Sequence, residues 1–114
     1  MAKKTYLENL IIITCIVERG KAEDVVEAAK KAGAKAATIA FARGTGIRER
    51  LGLLGVVIQP EKEVIEIAIV KEMADAVFEA MVDAGELYLP GKGFIYMTEC
   101  LRALTYIPDG AKEQ

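Results

Sequence analysis

A β-branched apolar run followed by an amphipathic helix occurs twice in this chain, and that repeat narrows the fold more than any other feature. Residues 10–17, Leu-Ile-Ile-Ile-Thr-Cys-Ile-Val, read as a first strand. Glu18-Arg19-Gly20 turns the chain. The spacing then predicts a helix over 22–32, with Val25, Val26, Ala29 and Ala32 on one face and Glu23, Glu27, Lys30 and Lys31 off it. Gly33 stops that helix. A second strand over 36–42 is closed by Gly44 and Gly46, and an irregular segment runs to Pro60. The pattern repeats with a third strand over 64–70 and a helix over 72–84. That helix carries Met73, Val77, Met81 and Ala84 on its buried stripe and Gly85 as its cap. A fourth strand spans 93–101, and a tail or short extra element follows.

The order βαββαβ implies an α+β, ferredoxin-like sandwich: an antiparallel sheet ordered 4-1-3-2 with both helices on one face. In that topology the ends of strands one and two and the starts of strands three and four share one edge. Val17, Gly44, Gly46, Lys62, Gly91 and Lys92 are expected there. Cys15 falls near that edge and Cys100 near the other, too far apart for an intrachain disulfide. The uncovered face would be strongly apolar, because strand one has almost no polar residue on either side. Packing of sheets between copies of the chain resolves that exposure.

Composition sets limits. The 114 residues fit one domain, 1–114. A formal charge of −2 disfavours non-specific nucleic-acid binding. The chain has no histidine and no serine, which excludes His-based catalysis, His-ligated metal and a Ser nucleophile. The two cysteines form no CxxC pair. The run at 10–17 is too short to span a bilayer and no cleavage site follows it. A soluble, cytoplasmic protein with reduced thiols is expected.

Two glycine-rich corners carry the candidate chemistry: Arg43-Gly44-Thr45-Gly46 and Pro90-Gly91-Lys92-Gly93-Phe94. Glycine lets backbone amides approach a ligand, and lysine beside exposed amides suits an anion. For either corner alone a strand-end turn is the better reading. Their convergence with Lys62 and Lys92 favours an anion site. Between them, 47–54 reads as an exposed loop in which Arg48 and Arg50 flank Leu51, Leu53 and Leu54. Apolar loop residues beside arginine suit a protein partner. Residues 55–59 extend the third strand. An acylphosphatase-type enzyme shares this fold and needs an arginine in a loop after strand one. Glu18-Arg19-Gly20-Lys21 matches that loop loosely. Glu66 and Glu99 are lone carboxylates, and no catalytic constellation is found.

The ordered set of features resembles the PII signalling family, the trimeric regulators of nitrogen and carbon metabolism, over about residues 10–105. Asp24-Val25, Gly33, Thr38, Gly44, Gly46, and Lys62 ahead of Val64-Ile65-Glu66-Ile67 fall at the family's spacing. The family's GDGKIFV segment reads here as Leu89-Pro90-Gly91-Lys92-Gly93-Phe94-Ile95.

The resemblance implies a homotrimer that binds an adenine nucleotide (ATP, ADP or AMP) in clefts between subunits. Gly44 and Gly46 would lie near the adenosine side, with Ile16 and Thr38 around the base. Gly91 and Lys92 would hold phosphates, with Lys62 and Phe94 beside them. The segment 47–61 would be the partner-contacting T-loop, docking on a membrane transporter or a metabolic enzyme. No catalytic or metal site is implied. The chain departs from the family in several places. The loop is shorter and lacks tyrosine, so uridylylation there is excluded. Arg48 replaces a glutamine that helps hold magnesium and 2-oxoglutarate. Pro90 replaces an aspartate, Leu89 a glycine, and Ala103 and Thr105 stand where two arginines contact phosphates. Triphosphate recognition loses charge, and a divergent member sensing ADP, AMP or another anionic metabolite is expected. The alternatives are a ligand-free trimeric adaptor and an Arg19-dependent acylphosphatase.

Overall fold

The computed structural model describes residues 4–44, 52–53, 56–57 and 61–108. In chain order the elements are β1 (Tyr6–Leu7), β2 (Leu10–Glu18), α1 (Ala22–Lys31), β3 (Thr38–Arg43), β4 (Gly52–Leu53), β5 (Val56–Val57), β6 (Glu61–Val70), α2 (Lys71–Gly85), β7 (Gly93–Cys100) and β8 (Ala103–Leu104). The four long strands form one antiparallel sheet ordered β3-β6-β2-β7. The short β1 and β8 pair with each other, as do β4 and β5.

Cross-strand register separates the two faces, because paired residues point the same way. Ile11, Ile13, Cys15 and Val17 of β2 pair with Ile69, Ile67, Ile65 and Glu63 of β6. With Val25, Val26 and Ala29 of α1 and Ala74, Val77 and Met81 of α2, their apolar members make the core. The core therefore lies between the sheet and the two helices.

The opposite face carries Leu10, Ile12, Thr14 and Ile16 in register with Val70, Ala68, Glu66 and Val64. Phe94 and Tyr96 of β7 stand beside Ile16 and Thr14. Their rings lie 5.6 Å apart and both are exposed. No helix covers this face among the described residues.

Several boundaries differ from expectation: Val56 and Val57 pair with Leu53 and Gly52 instead of extending the third strand, most ends shift by one residue, and the larger shifts have physical reasons. The third strand begins at Glu61 rather than at residue 64, because Glu61 and Lys62 pair with Arg43 and Ala42. The second strand begins at Thr38, opposite Glu66. The left-handed cap of α2 is Glu86, with φ 54°, and Gly85 is the last helical residue. A side chain at Gly85 would crowd Leu87 at 3.1 Å, so the small residue serves packing rather than capping.

Helix α2 follows β6 without a loop, so its first amides need partners from elsewhere. The Lys71 amide donates to the Asn9 carbonyl at 3.0 Å. Asn9 is itself left-handed, with φ 66°, and its side-chain amide donates to both Glu72 oxygens at 3.0 and 3.3 Å. Beyond it, the Arg102 guanidinium stacks 4.9 Å from the Tyr6 ring centroid. The segment from β1 to Asn9 thus ties three elements together at the Leu10 end of the sheet.

Candidate functional site

The register defines the other end of the sheet. Ala42, Lys62 and Glu18 form one cross-strand row, and Phe41, Glu63, Val17 and Gly93 form the next. Gly44 follows β3 here, and Gly91 and Lys92 precede β7 here. One row further in, Ala40, Val64, Ile16 and Phe94 line the uncovered face. Ile16 and Phe94 thus share a row two rows in from Lys62, all three close to the glycine corners.

Other expected residues do not join them within one copy. The sheet order puts β3 and β7 at opposite lateral edges, three strand spacings apart, or about 14 Å. Gly44 and Gly91 share an end of the sheet, but a single phosphate cannot touch both in one chain. Thr38 is six residues from Gly44 along an extended strand, about 20 Å away at 3.3 Å per residue. It sits in the row of Glu66 and Thr14. Gly46, Arg48, Arg50, Leu51 and Leu54 lie outside the described residues. Leu53 belongs to the short β4.

The glycines have different reasons to be glycine. Gly93 has φ 147°, and a Cβ there would lie 2.2 Å from the Ile16 carbonyl oxygen. Backbone approach between β7 and β2 explains it fully. Gly91 has φ 76° with no described atom within 4 Å of a built Cβ, so among the described residues its backbone conformation alone favours glycine. Among the described residues Gly44 meets neither constraint: its φ is not left-handed and no described atom lies within 4 Å of a built Cβ. Lys62 is buried, at 6 % exposure, and Lys92 is half-buried.

The loop after β2 holds a feature that strand-by-strand reading missed. A single Glu63 oxygen accepts the Gly20 amide at 2.8 Å and the Ala22 amide at 3.0 Å. Helix α1 has no capping side chain at Lys21, and this carboxylate from β6 serves in its place. Arg19 meanwhile forms an ion pair with Glu61. The amides and guanidinium that an acylphosphatase-type loop would turn on a phosphate are engaged by the protein's own carboxylates. The alternating Glu61-Lys62-Glu63 was the available signal, but reading it requires the register with Val17.

The remaining reactive groups offer little chemistry. Burial pushes the Cys15 thiol up to about 12, which keeps it protonated and inert at neutral pH. Both cysteines are free thiols. Among the described residues no group of His, Cys, Asp and Glu could hold a metal ion. No described helix is long and apolar enough to cross a membrane. A groove of about 220 Å³, lined in part by Ile11, Lys71, Met97 and Glu99, lies at the opposite end of the sheet from the glycine corners.

Comparison with known proteins bears on this geometry. No curated protein sequence matches the chain. The crystal structure of Arabidopsis thaliana PII bound to citrate superposes with a TM-score of 0.66, at 19 % identity over 82 % of this chain and 79 % of that one. That likeness speaks to the fold. The family model for nitrogen regulatory protein P-II matches residues 10–104, from the first residue of β2 to the last of β8. The chain belongs to the nitrogen regulatory protein P-II family.

Proposed function

We propose that this P-II-type regulator forms a trimer and binds an adenine nucleotide, or a related anionic metabolite, in clefts between copies. P-II proteins are trimeric regulators that interact with target proteins, not enzymes. In this reading Gly44 and Gly46 of one copy face Gly91 and Lys92 of the next. Ile16, Lys62 and Phe94 lie alongside, and Thr38 stands farther from the phosphates. Ligand occupancy changes the segment 47–61, with Arg48, Arg50, Leu51, Leu53 and Leu54, which docks on a cytoplasmic target such as a metabolic enzyme or the inner face of a transporter.

The observation that carries the reading is Gly44. Among the described residues nothing requires glycine there, which supports a ligand or a neighbouring copy that approaches it from outside. The lateral gap between the corners supports a composite site, since the outer edges of two copies can adjoin where the edges of one cannot. The apolar uncovered face supports assembly of the copies. Citrate on the Arabidopsis protein keeps a polycarboxylate in consideration beside the nucleotides.

The test is calorimetric titration of ATP, ADP, AMP, 2-oxoglutarate and citrate into wild type and Lys92→Ala, with the mass in solution measured by light scattering. A trimer that binds one of these anions, and loses it in Lys92→Ala, supports the reading. A trimer that binds none of them makes the chain an adaptor. A monomer overturns the composite site.

A further inference from the structure

Three arginines are described, and two are already committed. Arg19 is paired with Glu61. Arg102 lies at the far end of the sheet, stacked on Tyr6 and adjoining the β1–β8 ribbon. Arg43 is the third. It is the last residue of β3, directly before Gly44, and it is exposed. Its cross-strand neighbour is Glu61, whose carboxylate holds Arg19. No described residue pairs with Arg43. A guanidinium with no partner among the described residues therefore stands beside a glycine that no described residue requires.

We propose that Arg43 grips the ligand, its guanidinium donating to phosphate or carboxylate oxygens of an anion seated against Gly44. This rests on the anion-site reading above and extends it to a residue outside the glycine-lysine set. The planar fork of arginine suits a two-oxygen face of either group. Its position at the β3 edge complements Lys92 at the β7 edge, so one anion held between two copies meets a cation from each.

The probes are ADP, adenosine and citrate, titrated into wild type, Lys92→Ala, Arg43→Gln, Arg43→Lys and Arg19→Gln. Arg43→Gln is expected to weaken ADP, or citrate, about tenfold, with adenosine unaffected. Loss on ADP alone assigns a phosphate contact and loss on citrate alone a carboxylate contact. Arg43→Lys recovers part of the affinity, Arg19→Gln none of the loss, and the salt dependence of binding flattens in Arg43→Gln. The mass and the unfolding midpoint stay those of wild type. If Lys92→Ala loses the anion and Arg43→Gln binds it as wild type does, the site stands and Arg43 has no part in it. Equal weakening of ADP and adenosine makes Arg43 structural and overturns the proposal. Wild type binding neither anion overturns the underlying reading and this role with it.

Discussion

The two glycine corners look alike in sequence and differ in cause. Before β7, both glycines answer to the chain itself: Gly91 to its left-handed backbone, Gly93 to the Ile16 carbonyl against which β7 is laid. After β3, Gly44 answers to no described residue. A glycine required by folding says little about binding, whereas one that folding does not require invites a ligand or a neighbouring copy. The comparison moves the functional weight from the lysine-bearing corner, where the motif is richer, to the plainer one.

Substitution can break this contrast, and the largest effect is expected at Gly93. A methyl group there meets a backbone oxygen that cannot move without parting β7 from β2, on top of a φ of 147° that L-residues avoid. Gly93→Ala should cost about 3 kcal/mol or more. Urea unfolding monitored by circular dichroism measures it. A midpoint equal to wild type would show that the strands can separate at no cost, and the contrast would lose its strongest member.

A third turn at the same end shows a corner with its anion built in. Gly20 has φ 93°, and the amides of Gly20 and Ala22 converge on the Glu63 carboxylate. Glu63→Ala removes the cap of α1 and should cost about 2 kcal/mol, with Glu63→Gln recovering part. An unchanged unfolding midpoint in Glu63→Ala would mean that water satisfies these amides as well. At Gly91 the expected cost of alanine is smaller, about 1 kcal/mol, the penalty of left-handed backbone without a clash. A cost as large as that at Gly93 would reveal packing around Gly91 that a single chain lacks.

Much of the fold was legible because it is written in apolar period. The stripe Val25, Val26 and Ala29 and the runs in β2 and β6 place the core to within a few residues. What escaped depends on contacts across the chain. The start of β6 is charged, and only pairing with Arg43 and Ala42 makes it strand. The Glu63 cap, the Asn9 link to Glu72 and the Tyr6–Arg102 stack join residues far apart in sequence with no local signal. The shared end of the sheet followed from topology, and the strand spacing already set Thr38 six residues up the strand from Gly44. Nor could motif reading separate Gly93, held by a carbonyl, from Gly44, held by no described residue. That difference is a matter of a few ångströms of empty space.

The smallest expected change in stability is the most informative. Gly44→Ala adds a methyl group where no described atom lies within 4 Å, on a backbone that alanine adopts without strain. Its unfolding free energy should stay within about 0.5 kcal/mol of wild type, with any shift towards stability because alanine restricts the unfolded chain. Anion binding should fall about tenfold, since a methyl group would stand between the ligand and the amide it approaches. The two measurements separate three cases. Stability kept and affinity lost places the ligand against Gly44. Stability and trimer both lost places a neighbouring copy there instead. If both stability and affinity are kept, Gly44 is a tolerated residue rather than a required one, and the corner before β7 must carry the binding alone.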